Sequence, residues 1–144
     1  MINILKIKNY PQYQLYLFTK LLYENKEDLI PDSCDDRCIN STIINRSYYS
    51  AYSYSSLWLN NKYNFKVKKS WDFINDNEQY KSEHRQVIDE LKYKKQFTCS
   101  NKLMECKRIR NIADYEMFHD ITDKDVENCF KNMEYVIKKL KLEL

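Results

Sequence analysis

Residues 123–144 read DKDVENCFKNMEYVIKKLKLEL, and this stretch shows the helical periodicity of the chain most clearly. Apolar side chains recur every seven residues in two neighbouring rows, which are Val126, Met133, Leu140 and Phe130, Ile137, Leu144. Rows with this spacing lie on one face of an α-helix, so the stretch predicts an amphipathic helix packed against a core. Thr122 and Asp125 form a capping-box-like pair, which places the start of this helix near Asp123.

Two long helices are expected in the first half of the chain. The first begins after Asn9, with Pro11 at an early position where its missing N–H costs little. The second runs from Arg37 to Asn60, a stretch rich in isoleucine and tyrosine that contains no helix breaker. Serine and tyrosine are mediocre helix formers, so packing of the aromatic face must hold this second helix.

Two further helices are expected between residues 80 and 116. Ser82 is the expected cap of one of them, whose apolar stripe consists of His84, Val87, Ile88 and Leu91. The other begins after Ser100 and ends near Tyr115, with Arg110 on its apolar face where a core residue would be expected. We interpret His84 as a structural, half-buried histidine.

The composition excludes several classes of protein. The chain has 144 residues, no glycine and two prolines. Loops that cradle phosphates, dinucleotide-binding fingerprints and the nucleophile elbow of serine hydrolases all need glycine. We therefore expect a single all-α domain over residues 1–144, built as an up-and-down bundle of four or five helices.

Neither a metal nor a membrane is expected as a partner. The five cysteines and two histidines show no zinc-ligand spacing, and we expect no cofactor. No apolar run approaches the roughly 20 residues that span a bilayer. An odd number of cysteines without an export signal favours reduced thiols and a cytoplasmic location.

Basic residues are concentrated in two segments. Residues 92–110 contain seven lysines and arginines against one glutamate, and residues 62–69 mix lysines with aromatic residues. Such a mixture can bind single-stranded nucleic acid by neutralising phosphates and stacking on bases. The alternative, which we favour for residues 62–69, is a loop whose aromatic rings fold onto the bundle while its lysines stay in water.

Two stretches resemble the HEPN superfamily. Residues 45–52, NRSYYSAY, are similar to its "R-x-A/S-Y-Y-A-A-F" segment, and residues 110–115, RNIADY, are similar to its "R-N-x-A-D-Y" helix end. The order and separation of the two stretches also fit, and the similarity covers most of the chain. The resemblance implies a helical bundle that dimerises, with the motif of both subunits facing one cleft.

Many HEPN proteins cleave RNA without a metal, using the motif arginine and a histidine a few residues later. Tyr115 occupies the place of that histidine here, and His119 lies outside the usual spacing. In this scheme Arg110 binds phosphate, Asn111 and Asp114 position it, and Tyr115 or His119 handles protons. Nucleic acid would also contact a set of basic residues, namely Arg46, Lys94, Lys95, Lys107 and Arg108.

Our leading hypothesis is therefore a HEPN-type RNA-binding protein with metal-independent RNA cleavage as a candidate activity, in a prokaryotic toxin–antitoxin or antiphage defence system. It would act as a homodimer. The alternative is a non-catalytic HEPN subunit that pairs with a nucleotidyltransferase or another defence protein, which the missing motif histidine favours. In relatives with such partners the modified tyrosine lies two places after the motif histidine, where this chain has Met117. A plain structural bundle is a third interpretation.

Overall fold

The computed structural model describes residues 10–30, 34–73 and 80–142, and within these ranges the protein is helical and has no strand. The helices are α1 (Pro11–Glu24), α2 (Lys26–Leu29), α3 (Asp36–Tyr63), α4 (Glu83–Tyr93), α5 (Phe97–Tyr115) and α6 (Asp123–Leu142), with a 3-10 turn at Ser70–Phe73. This is the all-α bundle that the sequence predicts. None of the helices in the described ranges combines the length and apolar character that crossing a bilayer requires.

Helix α3 is the centre of the bundle and packs against α1, α4, α5 and α6. Its buried residues include the large side chains of Ile43, Tyr48, Tyr54 and Trp58. They also include small serines, so neighbouring helices can approach closely. Because α3 is covered on several sides, its apolar residues are spread around the helix rather than confined to one row.

The expected helix starts are confirmed at three places. Pro11 is the first residue of α1, and the Ser82 hydroxyl accepts a hydrogen bond from the Arg85 amide at 3.2 Å. At the start of α6 the Thr122 amide donates to the Asp125 carboxylate at 3.0 Å, and the Asp125 amide donates to the Thr122 hydroxyl at 3.1 Å. This reciprocal pair is a complete capping box.

The predicted start of α5 is wrong, because the helix begins at Phe97 and not after Ser100. Lys95 adopts a left-handed conformation with φ of 63°, which reverses the chain directly after α4. Ser100 lies inside α5, and its buried hydroxyl donates to the Ile88 carbonyl of α4 at 2.9 Å. Its polar group therefore serves the contact between α4 and α5 instead of capping a helix.

The apolar rows of the last helix form much of the core. Val126, Phe130, Met133, Ile137 and Leu140 are all buried, and they pack with residues of α3 and α5. Leu144, the last residue of the second predicted apolar row, lies outside the described residues. Helix α5 in turn packs against α3, α4 and α6.

Candidate functional site

Arg110 lies near the end of α5, with only 11% of its side chain exposed. Its Nη2 donates to the Tyr49 hydroxyl of α3 at 2.7 Å, and its Nη1 donates to Oδ1 of Asn111 at 2.8 Å. Its Nε lies 3.0 Å from Oδ2 of Asp114 without pointing at it, so the two groups form an ion pair without that hydrogen bond. The guanidinium is therefore held in one orientation by residues of two helices.

Aromatic rings surround this guanidinium. Its Cζ lies 5.4 Å from the ring centre of Tyr48, 5.2 Å from that of Tyr49 and 5.6 Å from that of Tyr115, all within cation–π range. Tyr48 is fully buried and forms the inner wall, whereas Tyr115 is 72% exposed and forms the outer wall. Asn45 completes the frame by donating to the Asp114 carboxylate at 3.0 Å.

Two more cations belong to the same neighbourhood. Lys107 precedes Arg110 by one turn of α5, and Arg85 comes from α4. Burial lowers the pKa of Lys107, and the positive charges of Arg85 and Arg110 lower it further. Arg85 is paired with Asp89 at 3.0 Å, but Lys107 makes no ion pair within the described part of the chain. The cluster of Arg85, Lys107 and Arg110, called the basic cluster below, thus contains one half-buried ammonium group without a counter-ion.

His84 also lies beside the basic cluster. Its Nδ1 is hydrogen-bonded to the Tyr48 hydroxyl, and its ring stacks on Tyr52 with 4.3 Å between centroids. Burial lowers the pKa of His84, and Lys107 and Arg110 lower it further, so the imidazole is neutral at pH 7. Its stacking agrees with a structural role, but its position next to two cations was not foreseen. No signal in the sequence links His84 to Arg110, because they lie on different helices.

The residues expected to handle protons lie at the outside of the site. Tyr115 contacts Arg110 as described, whereas His119 follows the end of α5, is mostly exposed and lies 3.6 Å from the Glu116 carboxylate. No contact joins His119 to Arg110 among the described residues. Arg37, which was not predicted to belong to the site, donates to the carbonyls of Glu116 at 2.9 Å and His119 at 3.3 Å. Arg37 thereby fixes the chain that follows the motif.

Of the five basic residues predicted to contact nucleic acid, only Lys107 belongs to the basic cluster. Arg108 is paired with the Glu105 carboxylate, to which it donates hydrogen bonds of 2.6 and 3.0 Å. Arg46 is exposed on α3 and makes no contact with Arg110 in the ranges that the structure describes. Lys94 and Lys95 lie at the opposite end of α5, about 20 Å of helix away.

An exposed apolar surface borders the site. Met117 and Phe118 follow the end of α5 after Glu116, with Met117 74% exposed and Phe118 fully exposed, and Tyr115 is the last residue of the helix. Exposed patches of large apolar side chains are typical of interaction surfaces. We call Tyr115, Met117 and Phe118 the apolar rim.

The site carries a net positive charge, since its three cations outnumber the two carboxylates that pair with them, Asp89 and Asp114. Among the residues described, no three His, Cys, Asp or Glu side chains come together as a metal site would need. Lys107 and Arg110 can both donate to phosphate oxygens, and Tyr115 offers an exposed ring beside them. A comparison with models of known protein families, with curated proteins and with solved structures finds no match to this chain.

Proposed function

We propose that the protein binds RNA, with a backbone phosphate held at the basic cluster. The observation that carries this proposal is Lys107, a half-buried lysine between two arginines that has no counter-ion among the described residues. Placing like charges together in a partly buried position costs free energy unless an anion compensates them. A phosphate that accepts hydrogen bonds from Lys107 and Arg110 would supply that compensation.

Two features favour RNA over a small anion. The exposed ring of Tyr115 beside Arg110 can stack on an unpaired base, which an inorganic anion would not use. The RNIADY motif contains Arg110, and its resemblance to the HEPN superfamily implies RNA as the ligand class. The proposal of a toxin–antitoxin or antiphage setting depends on this resemblance alone.

The test is the affinity for a fluorescently labelled single-stranded RNA, measured by anisotropy at several salt concentrations. Lys107→Gln should weaken binding and reduce the slope of log K against log[salt] by about one. Lys131→Gln is the matched control, because it removes the same charge from an exposed lysine of α6 that is paired with Glu127. The proposal fails if the wild type does not bind RNA, or if both variants bind as the wild type does.

RNA cleavage is a second candidate, favoured by the position of His84. Cleavage begins when a base removes the proton of a 2′-hydroxyl, whose oxygen then attacks the adjacent phosphorus. The bond from phosphorus to the 5′-oxygen breaks, an acid protonates that oxygen, and a 2′,3′-cyclic phosphate and a 5′-hydroxyl result. The neutral imidazole of His84 can accept the first proton at pH 7.

Cleavage is tested with excess EDTA, with end-group analysis of the products. We expect cyclic phosphate ends from the wild type and at least a hundredfold slower cleavage by His84→Gln. His119→Gln is the control and should cut at the wild-type rate. Equal loss in both variants, or cleavage only with added metal, would exclude His84 as the base.

We further propose that the apolar rim joins two copies of the chain. Because Tyr115 of the apolar rim contacts Arg110, a dimer formed through the rim would place the basic clusters of both copies beside one groove, as the resemblance to HEPN dimers implies. Phe118→Ser should convert a dimer into a monomer in sedimentation, with the helical circular dichroism unchanged. If the purified wild type is a monomer that becomes stable only with a nucleotidyltransferase, the alternative of an interaction subunit is favoured.

A further inference from the structure

A concave surface lies where α4 ends and α5 begins, and one of its lining residues, Asp89, pairs with Arg85 of the basic cluster. It is a groove of about 870 Å³ between the segment after α3 and the junction of α4 with α5. The residues that define it are Phe65, Lys66, Lys68, Lys92, Tyr93 and Phe97. We call it the aromatic groove. Its volume falls in the range of about 300–1,000 Å³ that is typical of ligand sites.

The wall of the aromatic groove is held in place by Gln86 of α4. The side-chain amide of Gln86 accepts from the Lys68 backbone N–H at 2.7 Å and donates to the Lys68 carbonyl at 2.9 Å. It also donates to the Lys81 carbonyl at 2.9 Å. Three hydrogen bonds to backbone groups therefore tie two chain segments to one side chain, and the groove is formed before any ligand binds.

Two aromatic side chains of the groove face solvent. Tyr93 is 75% exposed and Phe97 is 54% exposed, while Phe65 is half-buried and packs against the core. Exposing large aromatic rings to water is unfavourable, and a ligand that covers them gains free energy. The ammonium of Lys94 lies 5.1 Å from the centre of the Tyr93 ring, and the ring surface that stays exposed on Tyr93 and Phe97 is of the kind on which bases of single-stranded nucleic acid stack.

The charges of the groove favour an anion. Its two carboxylates are already paired, Asp89 with Lys81 and Arg85 and Glu90 with Lys94. Lys66 and Lys92 make no ion pair in the described ranges. The groove thus presents two lysines without counter-ions next to two exposed rings.

We propose that the aromatic groove binds a short segment of single-stranded RNA, with bases stacked on Tyr93 and Phe97 and phosphates at Lys66 and Lys92. The choice of RNA rests on the proposed function, but the residues are different from those of the basic cluster. An apolar peptide would cover the rings and leave the lysines unused. RNA uses both features, because it carries a phosphate for every base.

The test uses an eight-nucleotide oligouridine and an abasic RNA of the same length, with affinity measured by fluorescence anisotropy. The double substitution Tyr93→Ala, Phe97→Ala should weaken binding of oligouridine about 10- to 100-fold, the loss expected when one or two stacked bases lose their support. Its affinity for abasic RNA should stay within about twofold of the wild-type value. Tyr93→Phe should bind as the wild type does, since the ring is kept.

Two further variants separate this proposal from that for the basic cluster. Trp71→Ala removes an exposed aromatic ring outside the groove and should leave the affinity unchanged. Lys107→Gln should weaken binding of both RNAs. If Lys107→Gln weakens binding while the double variant does not, the aromatic groove is excluded and the basic cluster stands. If only the double variant weakens binding, the proposal for the aromatic groove is supported and a role of the basic cluster in RNA binding is excluded. If neither variant weakens binding, both proposals fail.

Discussion

Replacing Tyr49 by phenylalanine tests whether the protein itself fixes the orientation of Arg110. The substitution removes only the hydroxyl that accepts from Nη2 of Arg110 at 2.7 Å. Because only 11% of the Arg110 side chain is exposed, water cannot easily replace the lost acceptor. Hydrogen bonds to charged groups contribute about 1.5–3 kcal/mol, and the contacts with Asn111 and Asp114 remain, so we expect a loss of about 1–2 kcal/mol.

The free energy of unfolding is measured by urea titration followed by circular dichroism, with the slope m unchanged. In a thermal scan the same loss should lower Tm by about 3–7 °C for a chain of this length. Tyr52→Phe is the matched control, because Tyr52 is also half-buried on α3 but its hydroxyl makes no hydrogen bond within the described chain. If the two variants unfold at the same urea concentration, Tyr49 does not hold Arg110 and the geometry of the basic cluster needs another origin.

Three further predictions concern stability. Because the pKa of His84 is lowered in the folded state, its contribution to stability is complete above pH 6.5 and is lost as the pH falls through the folded-state pKa. The free energy of unfolding of His84→Gln, measured by urea titration, should therefore change less between pH 7 and pH 5 than that of the wild type. Equal pH dependence in the two proteins would contradict this. Arg37→Met removes the donors to the carbonyls after α5 and should cost about 1–2 kcal/mol and speed proteolysis within residues 116–120, whereas an unchanged cleavage rate would show that this segment is fixed by other contacts. Thr122→Ala breaks the capping box of α6 and should cost about 1 kcal/mol in the same titrations, and Lys124→Ala is the control that leaves the cap intact.

Helix α6 could be predicted from the sequence because all its signals are local. Thr122 and Asp125 are three residues apart, and their hydrogen bonds depend only on the backbone between them. The seven-residue rows then identify the buried face without reference to any partner helix. A local rule is reliable when its partners are close in sequence.

The start of α5 could not be predicted in the same way. Ser100 has the residue type of a cap, but its hydroxyl is bonded to the Ile88 carbonyl of another helix. The true start follows a left-handed Lys95, and lysine gives no signal for that conformation. The sequence contains no glycine that would have marked the turn.

In the candidate site, too, contacts within one helix could be predicted from the sequence and contacts between helices could not. Asn111 and Asp114 could be assigned to Arg110 because they are one and four residues away on the same helix. Tyr49 and His84 come from α3 and α4, and their places depend on how the helices pack. Only the general expectation that Arg110 lies on a buried face was available from the sequence.

Helix geometry also changes what the basic segment of residues 92–110 means. In sequence it is one continuous run of positive charge, and a single RNA-binding surface is the simplest interpretation. In the structure the turn between α4 and α5 divides this run between two helices, with Lys92 in the last turn of α4 and Lys107 about 15 Å along α5 from its first residue. If both parts contact RNA, the salt dependence of the wild type contains both contributions, and only variants in each part can assign them.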